Sequence, residues 1–305
     1  MRLITRSDFD GLVCGMLLME KGIIDSWKFV HPKDLQDGLF QAQSTDVLAN
    51  VPYVKGAGMW FDHHTSEKDR VGWNPDVEGQ SQLAPSAARI IYTYYGGESA
   101  FPEHFKEIVN AADKVDDANL TVDEVMQPTG WILLGFICDP RTGLGRFRNF
   151  RISNLQLMEE LISHCRNIPI DELLDTPDIK ERVKMYFEQN ELFKEMLLKY
   201  TKTEGNVIIT DLRDVSPIYT GNRFLVYSLF PEQNISCWIV DGRAKINVSI
   251  ACGHSIINRS SKTNIGKLML KHGGGGHERV GTCQVDYDKT NNILSEIVEH
   301  MKKDG

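Results

Sequence analysis

Short apolar runs separated by turn residues dominate the first third of the chain. Leu3-Ile4 and residues 27–30, 47–49 and 58–61 read as short buried strands. Helical spacing alternates with them. One helix is predicted from Leu12 onward, and another over residues 85–95 with Ile90, Ile91 and Tyr94 packed inward. A third covers residues 105–112, where Phe105, Ile108, Val109 and Ala112 share a face. This alternation predicts an α/β fold, with a doubly wound, largely parallel sheet over residues 1–185 and ligands at the carboxyl ends of its strands. Residues 179–202 are charged and amphipathic, with Val183, Tyr186, Phe187, Leu192, Phe193 and Met196 apolar. Residues 186–205 are expected to be a helical linker. Beyond Asn206, residues 207–209, 224–227 and 237–240 look like strands of a smaller α+β domain, residues 206–305. At 305 residues, two domains are expected.

Four polar clusters sit where these elements end. Asp62-His63-His64 follows directly on the apolar run ending at Phe61. Imidazole and carboxylate together suit a transition-metal ion, while two surface histidines in a turn are the plainer alternative. After Leu3-Ile4 comes Ser7-Asp8-Phe9-Asp10-Gly11. If this segment is extended, Asp8 and Asp10 leave on the same side; an N-cap and a turn aspartate are the structural alternative. Asp113 lies where the face of the third helix is expected to end. Far along the chain, His272 and His277 flank four consecutive glycines. Such a run is costly in backbone entropy, and it suits a loop that wraps an anion or admits a ligand. A flexible linker is the other reading, though the flanks look like a folded helix and strand.

Taken in order, Asp-x-Asp-Gly, Asp-His-His, Ala-Asp and Gly-Gly-Gly-His resemble the DHH superfamily of phosphoesterases, in the two-domain branch with a DHH-associated C-terminal domain. The resemblance spans nearly the whole chain. It implies a divalent-metal phosphoesterase, usually with Mn²⁺, whose site lies on the N-terminal domain. By the same resemblance, Asp10, His63 and Asp113 hold one metal and Asp8 belongs to another. His64 faces the phosphate and Asp62 orients its neighbours. Gly274, Gly275, Gly276 and His277 grip the nucleotide or phosphate end of a substrate, with Arg259 as the nearest guanidinium.

Two departures from the family pattern stand out. Thr5-Arg6-Ser7 occupies the place where a histidine usually precedes the first aspartate pair. The second motif is normally an aspartate ending a strand; the candidates are Asp46, which has the right chemistry, and Asn50, which has the better strand-end position. Asp46 is the expected ligand.

The chemistry wants these residues because phosphate-ester hydrolysis needs an acidified water and stabilised charge on the phosphoryl oxygens, both of which a divalent ion supplies. Carboxylates hold hard cations, and His63 tilts preference toward Mn²⁺ over Mg²⁺. No nucleophilic serine or cysteine is required.

The net charge of −8 argues against a protein that tracks long duplexes. One short basic stretch, Arg141, Arg146, Arg148 and Arg151 around Phe147 and Phe150, is either a nucleotide-stacking ridge or a solvated helix start. A short substrate is therefore expected: a linear dinucleotide, short oligoribonucleotide or nucleoside bisphosphate, bound in the cleft between domains. Exopolyphosphatase activity is the alternative within the enzyme class, and a catalytically weak nucleotide-binding regulator is the alternative outside it. Six scattered cysteines, no membrane-length apolar run and an N-terminus that enters a strand at once predict a cytoplasmic protein. A homodimer is compatible with all of this.

Overall fold

The structure, a computed structural model, describes residues 1–73 and 76–305. The chain divides into two compact units, one formed by Met1–Asn119 and Pro128–Tyr186, the other by Leu120–Gln127 and Phe187–Gly305.

In chain order the elements up to the unit boundary are β1 (Arg2–Thr5), α1 (Phe9–Glu20), β2 (Ser26–Phe29), α2 (Pro32–Gln36), β3 (Asp46–Ala49), β4 (Met59–Asp62), α3 (Thr65–Val71), β5 (Glu78–Ser81), α4 (Ala87–Tyr94), α5 (Phe105–Asp116), α6 (Val122–Met126), α7 (Gly130–Cys138), α8 (Asn154–Asn167), α9 (Ile170–Asp175) and α10 (Pro177–Tyr200). The first sheet is wholly parallel, in the order β2-β1-β3-β4-β5. Its central strands β3 and β4 are buried at every position, as strands covered on both faces must be. One face is covered by α1, which packs on α4, α5 and α8. On the other, Ile4, Leu48, Trp60, Leu35 and Val51 form an apolar cluster joined by Phe40 and Tyr53. In this strand order the chain reverses its direction of travel between β1 and β3. The crevice outside the carboxyl ends of those two strands is where doubly wound sheets bind ligands.

The second unit continues with β6 (Thr201–Glu204), β7 (Val207–Asp211), α11 (Leu225–Leu229), β8 (Ile235–Asp241), β9 (Asn247–His254), α12 (Ile265–Lys271), β10 (Gly275–His277), β11 (Val280–Asp286) and α13 (Thr290–Asp304). Its mixed sheet runs β10-β11-β9-β8-β7-β6, with β7 and β8 parallel and the other neighbours antiparallel. Along β9, Val248, Ile250 and Cys252 point inward in strict alternation. They meet Leu268 and Met269 of α12 and Ile297 and Met301 of α13 in one core.

Residues 224–227 are not a strand. They enter α11, where Leu225, Val226 and Tyr227 are all buried, after the Asn222 side chain accepts from the Phe224 amide at 3.0 Å and starts the turn. A four-residue apolar run carries no periodicity that separates a buried helix turn from a buried strand. The six cysteines are free, buried thiols. Among the described residues, no helix is long and apolar enough to cross a membrane.

Candidate active site

β1 ends at Thr5, and beyond the next two residues Asp8 caps α1, its Oδ1 accepting the Gly11 amide at 3.0 Å. A Cβ on Gly11 would lie 2.1 Å from the Arg6 carbonyl oxygen, so only glycine fits this turn. The segment is therefore not extended: Asp10 sits in the first turn of α1 rather than alternating with Asp8 along a strand. The helix carries the Asp10 carboxylate inward to the N-terminus of α4. There its two oxygens accept the amides of Ala87 (2.9 Å) and Ala88 (2.8 Å). Burial pushes the Asp10 carboxyl well above the usual range, the charges of Asp116 and Asp8 push it further, and the two amide bonds offset this only in part. A buried carboxylate facing two others is costly unless a cation joins them.

β4 delivers Asp62 and the two histidines at the same edge of the sheet. His63 Nδ1 is 3.1 Å from the Ala84 carbonyl, which makes it the donor nitrogen and leaves Nε2 with a free lone pair. That Nε2 is buried without a hydrogen-bond partner, 3.8 Å from Asp10 Oδ2 and 3.2 Å from Asp116 Oδ2. One ligand atom from each of Asp10, His63 and Asp116 lies within 4.8 Å of the others. An orphaned imidazole nitrogen between two carboxylates, its other nitrogen fixed by a carbonyl, fits a divalent transition-metal ion.

Asp113 points elsewhere: its carboxylate accepts from the Ser86 hydroxyl at 2.7 Å and from Arg89 Nη2 at 2.6 Å. α5 runs past its expected end at Ala112 as far as Asp116, so the aspartate that reaches His63 is Asp116, one turn on. Asp46 is fully buried but begins β3 beside Arg2, which it binds through two hydrogen bonds of 2.9 and 3.1 Å. It therefore lies at the amino edge of the sheet, about 13 Å of strand away from the carboxyl edge. Asn50 occupies that edge instead, and its side-chain amide donates to Asp8 Oδ1 at 2.9 Å. Asp8 Oδ2 is paired with Arg6 Nε at 3.0 Å. Thus Asp8 has a guanidinium and an amide as partners where the family pattern places metal-binding groups, although burial still raises its pKa.

Asp62, fully buried, holds His64 through Nδ1 (2.9 Å) and the backbone amide (3.2 Å). Burial lowers the pKa of His64, but the bond to Asp62 and its charge outweigh it and lift the imidazole to about 9. The raised pKa favours the imidazolium form of His64 at neutral pH.

In the second unit the glycine run lies at the β10–β11 hairpin. Gly273 (φ 75°) and Gly276 (φ 154°) adopt backbone angles that favour glycine, and a Cβ on Gly274 would lie 2.1 Å from the Thr282 carbonyl oxygen. Gly275 alone has neither constraint. His277 is exposed at the end of β10. Arg259 is exposed and donates through Nε to the Ile256 carbonyl at 3.1 Å. The arginine-rich stretch is not a helix start: residues 140–146 form two short 3₁₀ turns. Arg141 is paired with Asp139 at 2.8 Å, and the Phe150 ring is covered by Arg182 at 4.2 Å.

Sequence reasoning missed Asp116 and Arg6. Asp116 was visible as the second acid on one helical face in Asp113-Lys114-Val115-Asp116. Arg6 lies in the Thr5-Arg6-Ser7 segment that departs from the family pattern, two residues before its partner Asp8.

No known family profile and no curated protein sequence matches the chain. Among solved structures, the pGpG-specific phosphodiesterase PggH from Vibrio cholerae is 47% identical. The match covers 100% of this chain and 99% of that one, with a TM-score of 0.89. Two further structures share the fold at low identity. The DHH domain of a member of a ribosomal protein family is 14% identical, at TM-score 0.57 over 99% of this chain and 86% of that one. RecJ from Thermus thermophilus, solved in complex with Mn²⁺, is 12% identical, at TM-score 0.56 over 99% and 52%. Full-length likeness at 47% identity, together with a parallel sheet that gathers Asp10, His63 and Asp116 at its carboxyl edge, places this chain in the DHH superfamily of phosphoesterases.

Proposed function

We propose that this phosphoesterase hydrolyses a linear diguanylate of the pGpG type, cleaving its internal phosphodiester to yield two guanosine monophosphates, with Mn²⁺ as its cation. The observation that carries the reading is the full-length 47% identity to a pGpG-specific phosphodiesterase. The acidic balance of the chain is consistent with a short substrate.

Asp10, His63 and Asp116 are the residues that would hold the ion, and two carboxylates with one imidazole favour Mn²⁺ over Mg²⁺. Bound there, a divalent ion supplies Lewis-acid polarisation and an acidified water. The protein fixes the rest. Ala87 and Ala88 lock Asp10 in place, and Ala84 selects the His63 tautomer. Asp62 keeps His64 protonated, so that its Nε2–H donates to a phosphoryl oxygen or passes a proton to the departing ribose oxygen. Gly275 and His277 are assigned to contacts with the nucleotide.

The test is turnover of pGpG, pApA, inorganic polyphosphate and pyrophosphate with Mn²⁺ or Mg²⁺, followed by chromatography of the products. Rapid Mn²⁺-dependent release of guanosine monophosphate from pGpG is expected. Turnover of polyphosphate alone would overturn the nucleotide reading, and tight pGpG binding without turnover at any metal would make the chain a regulator.

A further inference from the structure

The carboxyl ends of β1 and β2 open into a cavity of about 540 Å³, within the roughly 300–1,000 Å³ typical of small-molecule sites. No residue proposed above for catalysis or metal binding lines it. Arg6 is on its wall and is also the ion-pair partner of Asp8, so the cavity and the acidic site share a side chain.

The lining has the chemistry of a purine reader. Phe29 and Phe40 supply aromatic faces, with Lys28 Nζ 5.6 Å from the centre of the Phe40 ring. Asp34 lines the same cavity, is exposed to solvent, and its carboxylate has no hydrogen-bond or ion-pair partner among the described residues. His31 Nδ1 accepts the Lys33 amide at 3.2 Å, so in the neutral ring Nε2 carries the proton and is a donor.

We propose that this cavity is a guanine subsite, in which Asp34 accepts from the N1–H and N2–H₂ groups of one base of a linear dinucleotide while Phe29 or Phe40 stacks on it. This deepens the diguanylate reading and rests on it for the choice of ligand. A guanine presents two adjacent donors to one carboxylate and an O6 acceptor to the donors around it, here His31 and Lys28. Adenine presents the N1 lone pair where guanine has N1–H, so it would set an acceptor against the Asp34 oxygens. Stacking on either phenylalanine is base-tolerant; discrimination therefore falls to Asp34.

Binding is read by calorimetry of the full chain in chelator with guanosine monophosphate and adenosine monophosphate, so that no turnover is needed. The parent protein is expected to prefer the guanine nucleotide about ten- to a hundred-fold. Asp34→Ala, at an exposed position, should remove that preference by weakening the guanine nucleotide alone. Leu39→Arg, at a residue 76% exposed on the same lining, should obstruct both nucleotides about ten-fold or more without altering the melting temperature. Unchanged preference in Asp34→Ala, or equal binding of both nucleotides by the parent, overturns the subsite. Guanine preference that depends on Asp34 in a protein unable to cleave pGpG would instead retain the subsite and remove the diesterase reading.

Discussion

The side-chain amide of Asn50 donates to Asp8 Oδ1 across 2.9 Å at the point where β3 ends beside β1. Both residues are almost fully buried, and Asn50 has φ 57°, a left-handed conformation that asparagine and aspartate tolerate better than most residues. The family pattern has an aspartate here. This chain replaces that negative charge with a donor and adds Arg6 on the other oxygen of Asp8.

Asn50→Asp should therefore be accepted by the backbone and resisted by electrostatics. It would remove the donor and bring a second buried carboxylate against Asp8. In chelator the variant is expected to lose about 3 kcal/mol, the scale of an uncompensated buried charge. Excess Mn²⁺ should restore more stability to the variant than to the parent. Thermal melts with and without metal measure this, and identical melting in chelator would contradict the role given to the amide.

Asp116 and Asp113 lie one helical turn apart, yet they face different partners. Asp116→Asn removes a carboxylate from beside His63 Nε2. It should cost more activity than the roughly 100-fold that loss of a residue merely supporting a metal ligand causes. Its melting temperature in chelator should not fall, because one of three crowded acids is gone. Asp113→Asn removes the charge that pairs with Arg89 and one of the two acceptor oxygens, and should cost about 2 kcal/mol of stability, leaving Mn²⁺ affinity near that of the parent. Urea unfolding and metal titration separate the two. A large loss of Mn²⁺ affinity in Asp113→Asn alone would reverse the assignment.

Asp211, at the end of β7, is expected to make the stability of the second unit depend on pH. Burial raises its pKa, but Arg213, bonded through Nε at 2.9 Å and Nη2 at 2.6 Å, outweighs burial and holds the carboxyl below its ordinary value. A depressed folded pKa stabilises the fold at pH values above the unfolded pKa, and that contribution disappears as pH falls through the folded one. Asp211→Asn should therefore be less stable than the parent at neutral pH, with the gap closing as pH falls from the ordinary aspartate pKa of about 3.9 through the depressed folded value. A gap that stays constant across that range would mean the ion pair is not its origin.

Much of the site was legible because a polar cluster at the end of an apolar run directly marks the edge of a parallel sheet. Asp10 and His63 were found in that way. The same logic favoured Asn50 over Asp46, since a strand entering at residue 46 carries its ligand edge at residue 50, but the better ligand chemistry of Asp46 obscured it. Asp116 was missed for a different reason. Val115 continues the apolar face of α5 beyond Ala112, but Asp113, Lys114 and Asp116 around it read as a solvated terminal turn, which hides the last turn of the helix. The Asp8–Arg6 pair is local, within two residues, and is set by the turn between β1 and α1; the Ala84, Ala87 and Ala88 backbone contacts depend on tertiary placement, which no spacing rule encodes.

The glycine run separates structural from functional requirement between neighbouring residues. At Gly274 a Cβ would meet the Thr282 carbonyl oxygen at 2.1 Å and Cys283 at 2.6 Å, so the close packing of β10 on β11 demands its absence. Gly274→Ala should cost about 3 kcal/mol, as overpacking against backbone does. Gly275 has open space where a Cβ would go and does not adopt a left-handed φ. Gly275→Ala should melt at or slightly above the parent temperature, because alanine narrows the unfolded ensemble. If the hairpin serves only to fold the second unit, the substitution at Gly275 leaves kinetics unchanged. If it admits a phosphate or ribose to the backbone, the added methyl should raise KM for pGpG about ten-fold while kcat changes little, the pattern left by loss of uniform binding. Steady-state kinetics of a variant with parental stability decide between these two outcomes.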